Sequence, residues 1–117
     1  MANLEMLEAF CQADGVSGYE KEATRVMKSY LEGYCDEIQY DYLGSLVAHK
    51  KGVGPKVLLT GHIDEIGFCV KEITEDGYLR VHPLGGWNTR NMMAEPVTIT
   101  TREGKKLPGI IGTDPKP

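Results

Sequence analysis

The stretch Thr60-Gly61-His62-Ile63-Asp64-Glu65-Ile66-Gly67 places one imidazole and two carboxylates within four consecutive positions, His62 to Glu65. Residues two apart on an extended backbone project to one side, so His62 and Asp64 should face the same way. A neutral imidazole is a common metal ligand, and a carboxylate beside it can fix its tautomer or orient another ligand. Just upstream, the continuous apolar run Val57-Leu58-Leu59 reads as a central strand buried on both faces. The His-x-Asp pair would then stand at the strand's carboxyl end, the edge where α/β sheets bind ligands. Gly61 would let backbone and metal approach closely. The spacing alone leaves a second reading open, in which His62 caps a strand and Asp64-Glu65 begins a solvated turn.

Other groups with chemical potential are weaker candidates. Glu65 neighbours the motif but points away from His62 and Asp64 if the strand continues, which marks it as a local structural group. His49 ends a hairpin strand, and His82 precedes a proline where a strand passes into a loop. Trp87 and Asn88 lie in the glycine-rich loop Leu84-Gly85-Gly86-Trp87-Asn88 and could contact substrate or a neighbouring subunit. A buried anchor is the commoner fate of a single Trp. Cys69 sits in strand context with no cationic partner nearby, so it makes a poor nucleophile.

Composition narrows the class. The chain has 117 residues, with 13 Lys plus Arg against 17 Asp plus Glu, for a net charge of −4. That mild acidity argues against nucleic acid as a partner, because a phosphate-binding surface normally clusters basic residues. No apolar run approaches the ~20 residues of a membrane-spanning helix. The N-terminus has no basic region ahead of an apolar one and does not read as a signal peptide. Three cysteines with no C-x-x-C spacing suit reduced thiols in a cytoplasmic protein better than a disulfide frame.

The elements that must position these groups follow from periodicity. Leu4, Leu7, Phe10 and Cys11 form one helical stripe over residues 4–13, and Asp14-Gly15 should stop that helix with Gly15 as a left-handed cap. Ser17 and Glu20 have capping-box spacing, opening a helix from about Gly18 to Glu32 whose buried face is Ala23, Val26, Met27, Tyr30 and Leu31. The period then changes to two. Ile38, Tyr40 and Tyr42 alternate with polar residues and pair with Leu46–His49 across Gly44-Ser45. Ile66–Ile73 and Tyr78–Val81 form a second pair across the Asp76-Gly77 turn. Val97–Thr101 and Leu107–Ile111 form a third across Glu103-Gly104, and the tail Thr113-Asp114-Pro115-Lys116-Pro117 has no period. Two helices followed by strands give an α/β or α+β architecture.

The string Gly61–Phe68, with Asp76-Gly77-Tyr78-Leu79-Arg80-Val81 and Leu84-Gly85-Gly86-Trp87 after it, resembles the tetrahedral or glutamyl aminopeptidase family of metallopeptidases. Gly15–Glu20 and Gly109-Ile110-Ile111-Gly112 fit as well, so the likeness runs along essentially the whole chain. Some members of that family carry the label endoglucanase. Here that label has no support, because no carboxylate pair accompanies a sugar-stacking platform and Trp87 is the only Trp. The resemblance implies an α/β catalytic domain with two divalent metal ions, zinc or cobalt, interrupted by a β-rich assembly domain. It implies cytoplasmic homo-oligomers, often of twelve subunits, that trim N-terminal residues from short peptides.

Residue by residue, the resemblance assigns a metal to His62 and support of the metal site from the outer shell to Asp64. It places the general base elsewhere than Glu65. Residues 1–92 would be the N-terminal part of the catalytic domain and 93–117 the beginning of the inserted domain. Glu95-Pro96 departs from the family's usual polar pair there, a local change of turn. The remaining ligands and the base would lie further along a chain roughly three times this length. The 117 residues alone should therefore bind metal weakly or not at all and lack peptidase activity, since a catalytic zinc normally takes three protein ligands. The alternative is a non-catalytic truncated subunit that acts as an assembly or binding module through unpaired strand edges.

Overall fold

A computed structural model describes residues 3–113, so the expectation for the tail falls largely outside the described residues. The chain folds as two units, one up to Gly85 and one from Gly86 onward. Helix α1 (Leu4–Gln12) and helix α2 (Lys21–Leu31) open the first unit. Strands β1 (Glu37–Tyr40) and β2 (Leu46–His49) follow, and then β3 (Gly67–Ile73) and β4 (Leu79–Leu84). The second unit carries a short 3-10 turn at Thr89–Asn91 and strands β5 (Pro96–Thr100) and β6 (Lys106–Ile110). Among the described residues each strand pairs only with its sequence neighbour, in antiparallel two-stranded sheets.

Asn3 starts α1 by accepting the Met6 amide on its side chain, 3.1 Å away, which satisfies one of the free donors of the first turn. The helix stops by turning extended at Ala13, not through a left-handed Gly15. α2 begins three residues later than the capping-box spacing suggests. The Glu20 carboxylate accepts from the Gly18 amide, and no side chain caps the helix. The buried residues of α2 are Ala23 and Thr24, while Val26, Met27, Tyr30 and Leu31 are half-buried. α1 meets α2 at its C-terminal end, where the Phe10 and Tyr30 rings lie 6.0 Å apart and tilted, and Leu4 and Leu7 stay exposed.

The hairpins form where the turn residues place them. The β1–β2 loop is closed by Asp41, whose carboxylate accepts the Leu43 and Ser45 amides at 2.9 and 2.8 Å. Tyr42, expected within the strand alternation, belongs to that loop and is exposed. Gly77 takes a φ of 85°, as the Asp-Gly turn between β3 and β4 requires. β4 runs longer than its alternating core and includes both His82 and Pro83, so His82 stands on the strand opposite Cys69 rather than in a turn. Pro83 is tolerated because β4 has a single neighbour and one edge with no ladder to donate to.

The largest departure is Val57-Leu58-Leu59. These residues belong to no strand and are 81%, 84% and 91% exposed. An apolar run becomes a buried strand only if strands lie on both sides of it, and the described residues place none there. The same shortage shows in the surface area, which is 10348 Å². Two separate compact bodies of these lengths would expose only roughly 7,400 Å² together. Among the described residues the buried apolar side chains are just Ala13 and Ala23.

Candidate metal centre

His62 and Asp64 come together as their spacing predicts. His62 Nδ1 lies 3.1 Å from Asp64 Oδ1 and 3.1 Å from the Asp64 carbonyl oxygen. Both neighbours accept hydrogen bonds, so the neutral ring carries its proton on Nδ1 and donates it to Asp64. The lone pair then resides on Nε2, the arrangement of a metal-ligating histidine oriented by a carboxylate. The His62 side chain is 86% exposed and that of Asp64 37% exposed. The imidazole therefore reaches outward from a carboxylate that is partly sheltered.

The pair edges a hollow of ≈ 250 Å³ in the first unit, between Glu20 and Thr24 of the α2 start, the Leu43–Leu46 turn, and Gly61–Asp64. A larger hollow of ≈ 470 Å³ runs along β5–β6 but has no imidazole or carboxylate in its lining. The chemistry resides with the smaller one.

His62 and Asp64 stand on a stretch without secondary structure, and what holds it is Glu65. The Glu65 amide donates to the Gly15 carbonyl at 2.8 Å, and the Gly15 amide donates back to Glu65 Oε1 at 3.1 Å. Val16 and Glu65 form a parallel bridge. Gly67 is buried against Val16, where a Cβ would overlap the Val16 Cγ2 methyl. The carboxylate of Glu65 is thus occupied by the α1–α2 loop and is not part of the His62–Asp64 pair. The spacing marks Glu65 as a local structural group, and the structure gives its carboxylate a partner 50 residues away.

The other candidates remain apart. His49 sits at the end of β2, opposite Glu37, and His82 is opposite Cys69 on the β3–β4 hairpin. Cys35 donates to the Leu31 carbonyl at 2.9 Å. No group of three or more His, Cys, Asp or Glu among the described residues could hold a metal ion. They offer one donor of the right kind, Nε2 of His62, against the three protein ligands usual for a catalytic zinc. Among the described residues no second and third donor joins His62 there. No helix among the described residues is long and apolar enough to cross a membrane.

Comparison with known proteins gives the motif its context. The chain is 46% identical over 111 residues to the FrvX protein of Escherichia coli K12, covering 95% of this chain and 31% of that protein. It is 37% identical over 116 residues to the lysyl aminopeptidase of Pyrococcus furiosus, covering 98% and 33%. The crystal structure of a TET aminopeptidase from a marine-sediment thaumarchaeon superposes with a TM-score of 0.87 at 37% identity, over 96% of this chain and 32% of that one. The TET1 peptidase of Pyrococcus horikoshii, described as assembling into a tetrahedron or a large octahedral shell, gives 0.85 at 31% identity, over 97% and 34%. The chain thus spans about a third of the length of these relatives and has the mixed helix–strand fold of their N-terminal region. Residues 44–116 match the model of the M42 glutamyl aminopeptidases, and the chain belongs to that family.

Proposed function

We propose that this chain forms the N-terminal portion of a metal-dependent aminopeptidase that removes N-terminal residues from short peptides. The observation that carries this reading is the His62–Asp64 pair, with Nδ1 held by the carboxylate and Nε2 left to coordinate. His62 would bind one of two divalent ions, zinc or cobalt, and Asp64 would hold its ring. When bound, such ions would activate water and polarise the scissile carbonyl. The residues of this chain orient one ligand and assign no step of hydrolysis by themselves. Residues 1–92 would belong to the catalytic domain and 93–117, with the β5–β6 hairpin, would begin a β-rich domain used in homo-oligomeric assembly. The named assemblies of the P. horikoshii relative support homo-oligomeric assembly as such. A cytoplasmic setting suits the three free thiols.

The test is a chimera in which this chain replaces the matching third of the P. furiosus lysyl aminopeptidase. It should cleave aminoacyl anilides, whereas the 117 residues alone should not. Asp64→Asn should lower metal affinity or activity of the chimera by about 10–100-fold, the usual cost of losing a carboxylate behind a ligating histidine, and His62→Ala should cost more. Robust anilide turnover by the chain alone, or full activity of the His62→Ala chimera, would overturn the reading.

A second reading, a non-catalytic assembly module, draws on the exposed Val57–Leu59 run. Light scattering on the purified chain tests it, and a clean monomer argues against it.

A further inference from the structure

We infer that Glu65 is a positioning residue, which clamps the α1–α2 loop at Gly15 and thereby fixes where the His62–Asp64 pair stands. The inference rests on the reading of His62 as a ligand, and it concerns a residue that lies beside that pair without touching it.

Three observations carry it. First, one residue satisfies both hydrogen-bonding groups of Gly15, the carbonyl through the Glu65 amide at 2.8 Å and the amide through the Glu65 carboxylate at 3.1 Å. A pair of bonds at one residue fixes direction as well as distance, which a single bond does not. Second, the clamped loop is itself packed. A Cβ on Gly15 would come to 3.0 Å from Ala23 Cβ on α2, and Val16 fills the space left by the missing side chain of Gly67. Glu65 is therefore tied to a buried surface of α2 and not to a loose loop. Third, residues 53–64 have no helix, strand or bridge, and the described hydrogen bonds of that stretch are those of His62 to Asp64. The carboxyl end of the stretch is anchored at Glu65, one residue beyond Asp64, and His62 is in turn bonded to Asp64.

The chemistry of the clamp separates it from other roles for a glutamate in this place. Oε1 acts only as an acceptor for an amide, so a glutamine, which keeps that oxygen, can replace it. A general base or a metal ligand needs the negative charge, and glutamine cannot serve. A clamp therefore predicts that Glu65→Gln is tolerated and Glu65→Ala is not.

The experiment uses the 117-residue chain with ¹⁵N labelling. In the unsubstituted chain the Gly15 amide should be protected from hydrogen exchange. Glu65→Ala should speed its exchange about tenfold or more by opening the loop locally, remove the contact between the Val16 methyls and Gly67, and shift the His62 ring signals. Glu65→Gln should stay within about twofold of the unsubstituted chain, since the acceptor and hence the local opening equilibrium are kept. As a control for general loss of stability, Gly77→Ala strains the β3–β4 turn and should leave the His62 signals in place. Free exchange at Gly15 in the unsubstituted chain would overturn the inference. So would unchanged His62 signals in Glu65→Ala, or equal damage from Glu65→Gln and Glu65→Ala. No peptidase or metal measurement enters, so the clamp and the aminopeptidase reading can fail separately.

Discussion

Two adjoining stretches of the first unit had similar apolar content to work with and reached opposite ends. Gly67–Leu84 makes a regular hairpin, registered from Gly67 opposite Leu84 to Ile73 opposite Leu79. Lys56–Asp64, immediately before it, makes no strand, although Val57-Leu58-Leu59 is its most apolar run. The hairpin carries its partner with it, since Asp76-Gly77 folds β4 back onto β3 and each strand supplies the other's hydrogen bonds. A run destined for burial on both faces cannot do this, because both neighbours must come from elsewhere. Local turn chemistry completes a hairpin, whereas an inner strand depends on distant chain. The site residues His62 and Asp64 belong to the stretch that has no strand partner among the described residues.

The strongest way to break this comparison is to place the run beside the further chain of a full-length relative. In the isolated chain, peptides covering residues 56–61 should exchange their amides near the unstructured rate. Within the aminopeptidase chimera, protection there should rise by about 100-fold or more, as for a strand inside a cooperative unit. No gain in the folded chimera would show that the run is not an inner strand at all. A smaller effect is expected from Gly67→Ala, which forces a methyl into Val16. It should cost about 1–3 kcal/mol, as overpacking of a closed contact does, measured by urea unfolding followed by circular dichroism. An unchanged midpoint would mean that the Val16 contact adapts freely.

The smallest effect should come from Asp41, in the self-contained β1–β2 hairpin. The hydroxyl and amide of Ser45, with the amides of Leu43 and Gly44, hold its carboxyl below the usual carboxylate range. A carboxylate whose folded pKa is depressed stabilises the fold above its unfolded value, and the contribution is lost as pH falls through the folded value. The Leu43 and Ser45 amide resonances should therefore move in acid. The loss begins near the ordinary Asp value of about 3.9 and is complete only below the depressed one. Asp41→Asn should remove that step, and an acid shift persisting in the variant would show that another group causes it.

What was legible in the sequence divides along the same line. The three hairpins and the common side of His62 and Asp64 follow from spacings of two to five residues, and the structure has them. The helix α2 was legible as an element, but its start was not, because the Glu20 carboxylate turns back to the Gly18 amide. The exposure of Val57–Leu59 was unreadable because an apolar run does not state who its neighbours are. The Glu65 clamp was unreadable because nothing local distinguishes a glutamate that solvates a turn from one that closes a contact 50 residues back. Family resemblance supplied the roles of His62 and Asp64, which their spacing left open.

That separation of 50 residues between Gly15 and Glu65 also has a consequence in time. A ribosome adding about 5–20 residues per second takes roughly 2.5–10 s to pass from one to the other. An antiparallel hairpin closes in about 1–10 μs, so β1–β2 can form and re-form many times while the α1–α2 loop still waits for its partner. The motif that would carry the metal is therefore placed by a late, long-range closure, and its alignment depends on α1 and α2 remaining open to it until then.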